Sequence, residues 1–192
     1  MVELVTERLR LRELETGDTR AVYELYRLPE TSRFESWDAF ETESRARELV
    51  GFWRLQQRQS PRYQYTLGVT LKDDSRFIGL CSLECGIGTE TDDPRVGYVA
   101  YRYFPDRWGK GYATEALKAL VRWGFATVNL HRIHSGCVAE NVASARVLEK
   151  AGLRYEGTFR GAIPIDDEWH DYWTYGLLEK DYRDEIQNCM KP

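Results

Sequence analysis

The stretch Arg107-Trp-Gly-Lys-Gly-Tyr-Ala-Thr-Glu-Ala116 decides the fold. It follows Pro105, which stops an aromatic strand running from Val96 to Phe104, and it opens directly into a helix. That helix carries an apolar stripe at Ala113, Leu117, Leu120, Val121 and Val128 and a separate charged face at Glu115, Lys118 and Arg122, so one side packs on a sheet. Gly109-Lys110-Gly111 therefore lies between strand and helix, where free backbone N–H groups and the helix dipole hold a phosphate and a side chain would block its approach. Taken alone the loop reads equally as a plain turn. The third glycine of a dinucleotide fingerprint is missing, and Lys110 precedes the last glycine with no Ser or Thr adjoining it, unlike a P-loop.

Upstream, Leu9 and Leu11 alternate with charged residues as a first strand, and Asp18 is placed to cap a helix reaching Leu28. Thr42-Glu43 opens a second helix with Ala46, Leu49, Val50 and Trp53 at helical spacing. Tyr63 to Leu71 alternates strictly and predicts a half-buried strand; the next runs from about Arg76 to Cys85, with Ser82 and Glu84 on the face begun by Ile78 and Leu80. Downstream, a strand from Ile133 to Ala139 leads to Asn141, the cap of a helix that ends at Gly152. Strands over about Arg154 to Arg160 and Glu168 to Leu178 and a short terminal helix complete one mixed α/β domain over residues 1–192.

The 192 residues suit one domain, and 42% hydrophobic with 30% charged residues excludes a disordered chain. A net charge of -4 with no free-standing basic run argues against nucleic acid as a partner. The first residues, Met-Val-Glu-Leu-Val-Thr-Glu-Arg, hold no signal-length apolar core and no later run reaches membrane length, so neither a membrane nor export is expected, and the cytoplasm is. Cys81, Cys85, Cys137 and Cys189 have neither zinc-site spacing nor disulfide-scaffold density, and His131 and His134 lie at an odd offset along a strand, so no metal is expected. His170-Asp171 faces two ways along a strand and no nucleophile elbow accompanies it; Asp171 is expected to hold an Arg or a backbone group.

Trp108 to Ala116 resembles the acetyl-CoA pyrophosphate loop of the GNAT acetyltransferase superfamily. Glu7-Arg-Leu-Arg-Leu-Arg12 is similar to that family's first strand, and Asn141-Val-Ala-Ser144 through Leu148-Glu-Lys-Ala-Gly-Leu153 to its second CoA-contacting helix. Val96-Gly-Tyr98 and His170 to Gly176 match further strands in order, and the nearest branch is that of the ribosomal-protein N-terminal acetyltransferases of the RimJ/RimL type. The resemblance implies a mostly antiparallel sheet of about seven strands, splayed between its fourth and fifth, with about four flanking helices. It implies acetyl-CoA as co-substrate and an amine as acceptor, and by analogy a homodimer. Amides of Trp108, Gly109, Lys110, Gly111, Tyr112 and Ala113 would hold the pyrophosphate, with the Thr114 hydroxyl and the Lys110 charge in support. The strand at Tyr98, Val99, Ala100 and Tyr101 would lend its main chain to the pantetheine arm and to the developing oxyanion, worth roughly 3 kcal/mol per donor. Trp108 stands where Gln or Arg is more usual, which leaves a backbone cradle intact.

Transfer needs a neutral amine, a route for its proton and a donor for the departing thiolate. Glu84 is the candidate base and acceptor contact, its bland alternative being a strand-end carboxylate facing solvent or an Arg. The family's thiolate-protonating tyrosine is replaced by Leu148; Ser144, whose hydroxyl needs a partner on an apolar stripe, is the substitute or a small packing residue. Asn141 is a cap, and by resemblance also a neighbour of the CoA arm and the acceptor. Trp37 sits where the family builds its acceptor site, and reads equally as a partly buried aromatic. A lysine-like amine costs roughly 4 to 5 kcal/mol to neutralise at pH 7 and a peptide α-amine only about 1 kcal/mol, so one carboxylate and no tyrosine match an N-terminal α-amine better than a polyamine. Only the loop Glu90 to Asp93 offers itself as an acidic patch for the latter. A chain with the cradle but without acid and base would instead be a non-catalytic acyl-CoA-binding regulatory module.

Overall fold

In the computed structural model, which describes residues 1–86 and 93–189, the alternating segments form one sheet of eight strands. In chain order the elements are β1 (Glu3–Val5), β2 (Leu9–Glu13), α1 (Thr19–Tyr26), α2 (Pro29–Ser32), α3 (Glu43–Gln56), β3 (Gln64–Leu71), β4 (Phe77–Cys85), β5 (Val96–Tyr103) and α4 (Tyr112–Ala126). They continue as β6 (Arg132–Val138), α5 (Val142–Lys150), β7 (Arg154–Ile165), β8 (Glu168–Leu178) and α6 (Glu179–Cys189). The spatial order is β1-β2-β3-β4-β5-β6-β8-β7, with every adjacent pair antiparallel except the parallel β5 and β6. The eighth strand, absent from the expectation of about seven, is the short β1, which folds back on β2.

Helices cover both faces. Ala116, Leu117, Leu120 and Val121 of α4 and Ala145 and Leu148 of α5 pack on Leu67, Val69, Leu83, Val99 and Ile133. On the other face Val22 and Leu25 of α1 and Ala46, Val50 and Trp53 of α3 cover Leu80 and Leu14. Burying β3 between the two cores corrects the half-buried reading, since Thr66 and Thr70 are as enclosed as Leu67 and Val69. A second correction concerns β4. Register shifts between Val69 and Thr70, so that Gly79 faces Val69 but Phe77 faces Thr70, and Ile78 is the extra residue of a bulge. Ile78 consequently joins the core under α4 while Leu80 joins the core under α3, and Ser82 and Glu84 continue from Leu80 alone.

Two charged residues do other work than expected. Asp18 makes no side-chain cap to α1; its carboxylate pairs with Arg12 at 2.7 Å and accepts the Glu15 N–H at 2.8 Å. Glu115 does not face solvent with Lys118 and Arg122. It accepts from the Thr6 hydroxyl (2.6 Å), the Arg8 N–H (2.8 Å) and the Arg8 side chain (2.7 Å), tying the β1–β2 turn to the first turn of α4. No helix among the described residues is long and apolar enough to cross a membrane. Cys81, Cys85 and Cys137 are buried and free.

Candidate active site

The parallel pairing of β5 and β6 covers only Val96 with Arg132, Gly97 with Ile133 and Tyr98 with His134. Past Tyr98 the strands part, while β5 stays paired to β4 as far as Tyr103. In an extended strand alternate residues turn their N–H and C=O to opposite sides. The Ser135 hydroxyl donates to the Val99 carbonyl (2.7 Å) and the Trp108 indole N–H donates to the Tyr103 carbonyl (2.8 Å), so Val99, Tyr101 and Tyr103 are the residues whose main chain turns into the gap. Tyr98 and Ala100 turn theirs towards β4. The buried Ser135 thus occupies a carbonyl that a continued parallel ladder would have used.

At the far end of the gap stands the N-terminus of α4. Gly109 and Gly111 both have left-handed backbone, with φ of +72° and +79°, and together they turn the chain so that Tyr112, Ala113 and Thr114 begin the helix with no side-chain cap on their N–H groups. A side chain at Gly111 would begin 3.4 Å from the Arg8 guanidinium. Arg8 lies over the Tyr112 ring at 4.7 Å and donates to the Lys110 carbonyl at 3.1 Å, adding a positive charge beside those N–H groups. The Trp108 ring is 51% exposed although its N–H is tied down.

On the α5 side of the gap, Asn141 caps its helix by accepting the Ser144 N–H at 3.1 Å. The Ser144 hydroxyl has the partner that its place on the apolar stripe demanded: the Tyr101 phenol lies 2.7 Å from it and donates to the Ser144 carbonyl at 3.0 Å. Burial pushes the Tyr101 phenol well up. Leu148, one turn on, is fully buried core. The sequence did not single out the Tyr101 side chain, because β5 and α5 lie 43 residues apart at this contact.

The opposite face holds a row built by register. Glu84 faces Tyr98 and Tyr98 faces His134, so three strands set these side chains side by side just where β5 and β6 part. With Tyr172, Thr174 and Phe159 they line an open cavity of about 440 Å³. Burial pushes the Glu84 carboxyl up, against a hydrogen bond from the Gln64 amide at 3.2 Å; no Arg pairs with it among the described contacts. Tyr172 reaches the Tyr98 hydroxyl (3.3 Å) because Gly136 beneath its ring has no Cβ, which would stand 2.4 Å from that ring. His134 stacks edge-on to Tyr98 at 5.3 Å, and its Nε2 is buried without a hydrogen-bond partner among the described residues. Sequence reasoning weighed His134 only as a metal ligand, and its neighbours come from strands far away in the chain.

Along the same face Arg102 is clamped between the rings of Tyr26 (4.6 Å) and Trp37 (4.4 Å), donating to Glu35 (2.5 Å) and to the Thr31 carbonyl (2.9 Å). Trp37 also stacks on Tyr26 at 5.4 Å, so it is both a packed aromatic and a wall of a second cavity, of about 670 Å³, between the segment around α2 and the β7–β8 turn. Glu30, Glu35, Asp38 and Asp166 line that cavity with Arg33. Glu90 to Asp92 of the loop singled out as acidic lie outside the described residues, and Asp93 is spent on Arg95 at 2.7 Å. His170 and Asp171 stand apart from both cavities: His170 meets Glu140 at 3.2 Å and Asp171 accepts the Gly161 N–H at 2.8 Å, the backbone role expected of it.

An acetyltransferase (GNAT) domain model matches residues 8–154. The uncharacterized N-acetyltransferase YnaD of Bacillus subtilis is 33% identical over 181 residues, spanning 94% of this chain and 99% of that protein. The ribosomal protein uS5-alanine N-acetyltransferase of Escherichia coli is 24% identical over 188 residues, 94% of this chain and 93% of that one. Among solved structures, the spermidine N-acetyltransferase of Vibrio cholerae in complex with CoA and spermine superimposes with a TM-score of 0.77 at 22% identity, over 93% of this chain and 99% of that one.

Proposed function

Since the chain belongs to the GNAT acetyltransferase family and is an N-acetyltransferase by its relatives, we propose that it passes the acetyl group of acetyl-CoA to an N-terminal α-amine of a peptide or protein, by direct attack in a ternary complex. The likeness to the uS5-alanine enzyme fits a RimJ/RimL-like branch. The observation that carries the reading is the gap between β5 and β6, with an uncapped helix N-terminus on one side of the sheet and the half-buried Glu84 carboxylate on the other. In this reading the amides from Trp108 to Ala113, with Thr114, Lys110 and Arg8, hold the pyrophosphate. Val99 and Tyr101, more than Tyr98 and Ala100, offer main-chain donors to the pantetheine arm and the thioester oxygen. The acceptor enters past Trp37 and reaches Glu84, whose pKa burial raises, making it a stronger proton acceptor than an exposed carboxylate. The Ser144–Tyr101 hydroxyl pair, which Asn141 helps to place, supplies the proton that the sulfur takes on leaving.

The four carboxylates around the outer cavity favour a second reading, a small cationic amine such as a polyamine as acceptor. CoA release at pH 7, measured over N-terminal peptides, lysine peptides, polyamines and aminoglycosides with products weighed by mass spectrometry, separates the two. Preferential acetylation of spermidine or of a lysine side chain overturns the α-amine assignment. Tight CoA binding with no turnover on any amine would mark a regulatory acyl-CoA-binding module. Reaction in the cytoplasm and assembly as a homodimer belong to the same proposal; the exposed edge strand β7, with Tyr155 and Phe159 on it, supports the latter.

A further inference from the structure

An ammonium acceptor sheds two protons on becoming an amide, one before its lone pair can attack and one after the C–N bond has formed. Glu84 accounts for one of them. We propose that His134 takes the other: its Nε2 accepts the first ammonium proton, and the residue is a second catalytic base on the far side of Tyr98. The inference rests on the acetyl-transfer reading of the same site.

Three observations point there. His134 lies opposite Tyr98 in the last pair before β5 and β6 part, so it borders the gap. It lines the same cavity as Glu84. Its Nε2 is buried with no hydrogen-bond partner among the described residues, a state that an incoming N–H would relieve. The charged and titratable groups around it are few. Arg132 precedes it on the same face of β6 and is held by Glu156 of β7 at 2.7 Å; Tyr98 of β5 and Tyr172 of β8 share the cavity; Glu84 of β4 stands beyond Tyr98. Burial first, then Arg132, lowers the pKa of His134 from the ordinary histidine value, against the opposite pull of Glu156, so the ring arrives neutral at pH 7.

The protons balance. R–NH3⁺ gives one to Nε2, leaving R–NH2, whose lone pair forms the C–N bond as the carbon–sulfur bond breaks and sulfur leaves with the electron pair. The nitrogen's second proton passes to Glu84, and sulfur takes one from the Ser144–Tyr101 pair. When Glu84 returns a proton to that pair and His134 loses its own to water, the net products are the amide, CoA thiol and one proton.

The test uses the full chain, acetyl-CoA and two probes, a peptide with a free N-terminal alanine and spermidine. With whichever probe the wild type acetylates, His134→Asn is expected to lower kcat/KM about 100-fold at pH 7. The deficit should shrink as pH rises towards the probe's own pKa, where the amine arrives already neutral, and added imidazole should restore part of the rate to His134→Ala. A loss equal at every pH, or no loss, overturns the proposal and leaves the acetyltransferase standing. Nitrogen NMR of the wild-type imidazole rings decides independently of turnover and of whether the variants fold. Nε2 of His134 bare at pH 7 supports the proposal, and Nε2 carrying a proton there refutes it. A wild type that acetylates neither probe counts against the acceptor classes of the functional reading, and the imidazole spectrum then decides His134 alone.

Discussion

Gly111 is the sharpest place to test the cradle. Its φ of +79° is a left-handed conformation that costs an L-residue roughly 1–2 kcal/mol, and a Cβ there would lie 3.4 Å from the Arg8 guanidinium, an approach that a flexible side chain accommodates. Gly111→Ala should therefore fold, with a melting temperature lower by about 2–8 °C for a chain of 192 residues. CoA at one hundred times its dissociation constant adds about 2.7 kcal/mol to the wild type, a rise of about 5–11 °C on the same scale. Gly111→Glu suffers the same backbone strain and also points a carboxylate from the α4 N-terminus, where the diphosphate would need the free N–H groups. Its expected behaviour is a cooperative melt without ligand and no CoA-dependent rise, measured by scanning fluorimetry over a CoA titration. Gly17→Ala, at a site where a Cβ meets nothing within 4 Å, should keep the full rise. A normal CoA-dependent rise in Gly111→Glu would refute the placement of the pyrophosphate.

Glu84→Gln should lower turnover between about 100-fold and 10,000-fold with acetyl-CoA affinity nearly unchanged; unchanged rates at neutral pH would reduce Glu84 to a partner of Gln64. Because burial raises the Glu84 pKa and the base must be ionised, the acid limb of wild-type kcat/KM should contain a step above the usual Glu value; Glu84→Gln should remove that step and leave the one that belongs to His134. Ser144→Ala and Tyr101→Phe should each slow acetyl transfer, and by less than additively together, since each removes half of one 2.7 Å hydroxyl pair; a fall in thermal stability without a rate change would make the pair mere packing. For Glu115, burial alone would push the carboxyl up, but hydrogen bonds from Thr6 and Arg8 outweigh it and hold the pKa below its usual 4.5. Its contribution to stability is thus present above that value and lost as pH falls through the lower folded one. Glu115→Gln should flatten the acid side of a stability curve measured by urea melts, and an unaltered curve would refute the tether.

What was legible in the sequence is what short stretches settle by themselves. Two glycines ahead of a helical stripe mark the start of a helix, Asn141 three residues before Ser144 is placed to cap one, and alternation from Tyr63 to Leu71 marks a strand, found over Gln64–Leu71. The order of such segments matched the GNAT pattern, and the splay was expected from that resemblance alone. What required the tertiary structure is every relation set by register across the sheet. The bulge at Ile78 changes which side chains of β4 share a face, and no count of residues along β4 reveals it, since the shift is defined by the partner strand. Glu115 reads as a solvent-facing charge until the β1–β2 turn, more than 100 residues away, is brought to it. Glu84, Tyr98 and His134 form a row, and Tyr101 finds Ser144, only because β4, β5, β6 and α5 pack side by side; a side chain's partners follow from pairing free energies summed over whole strands, not from its immediate neighbours in the chain.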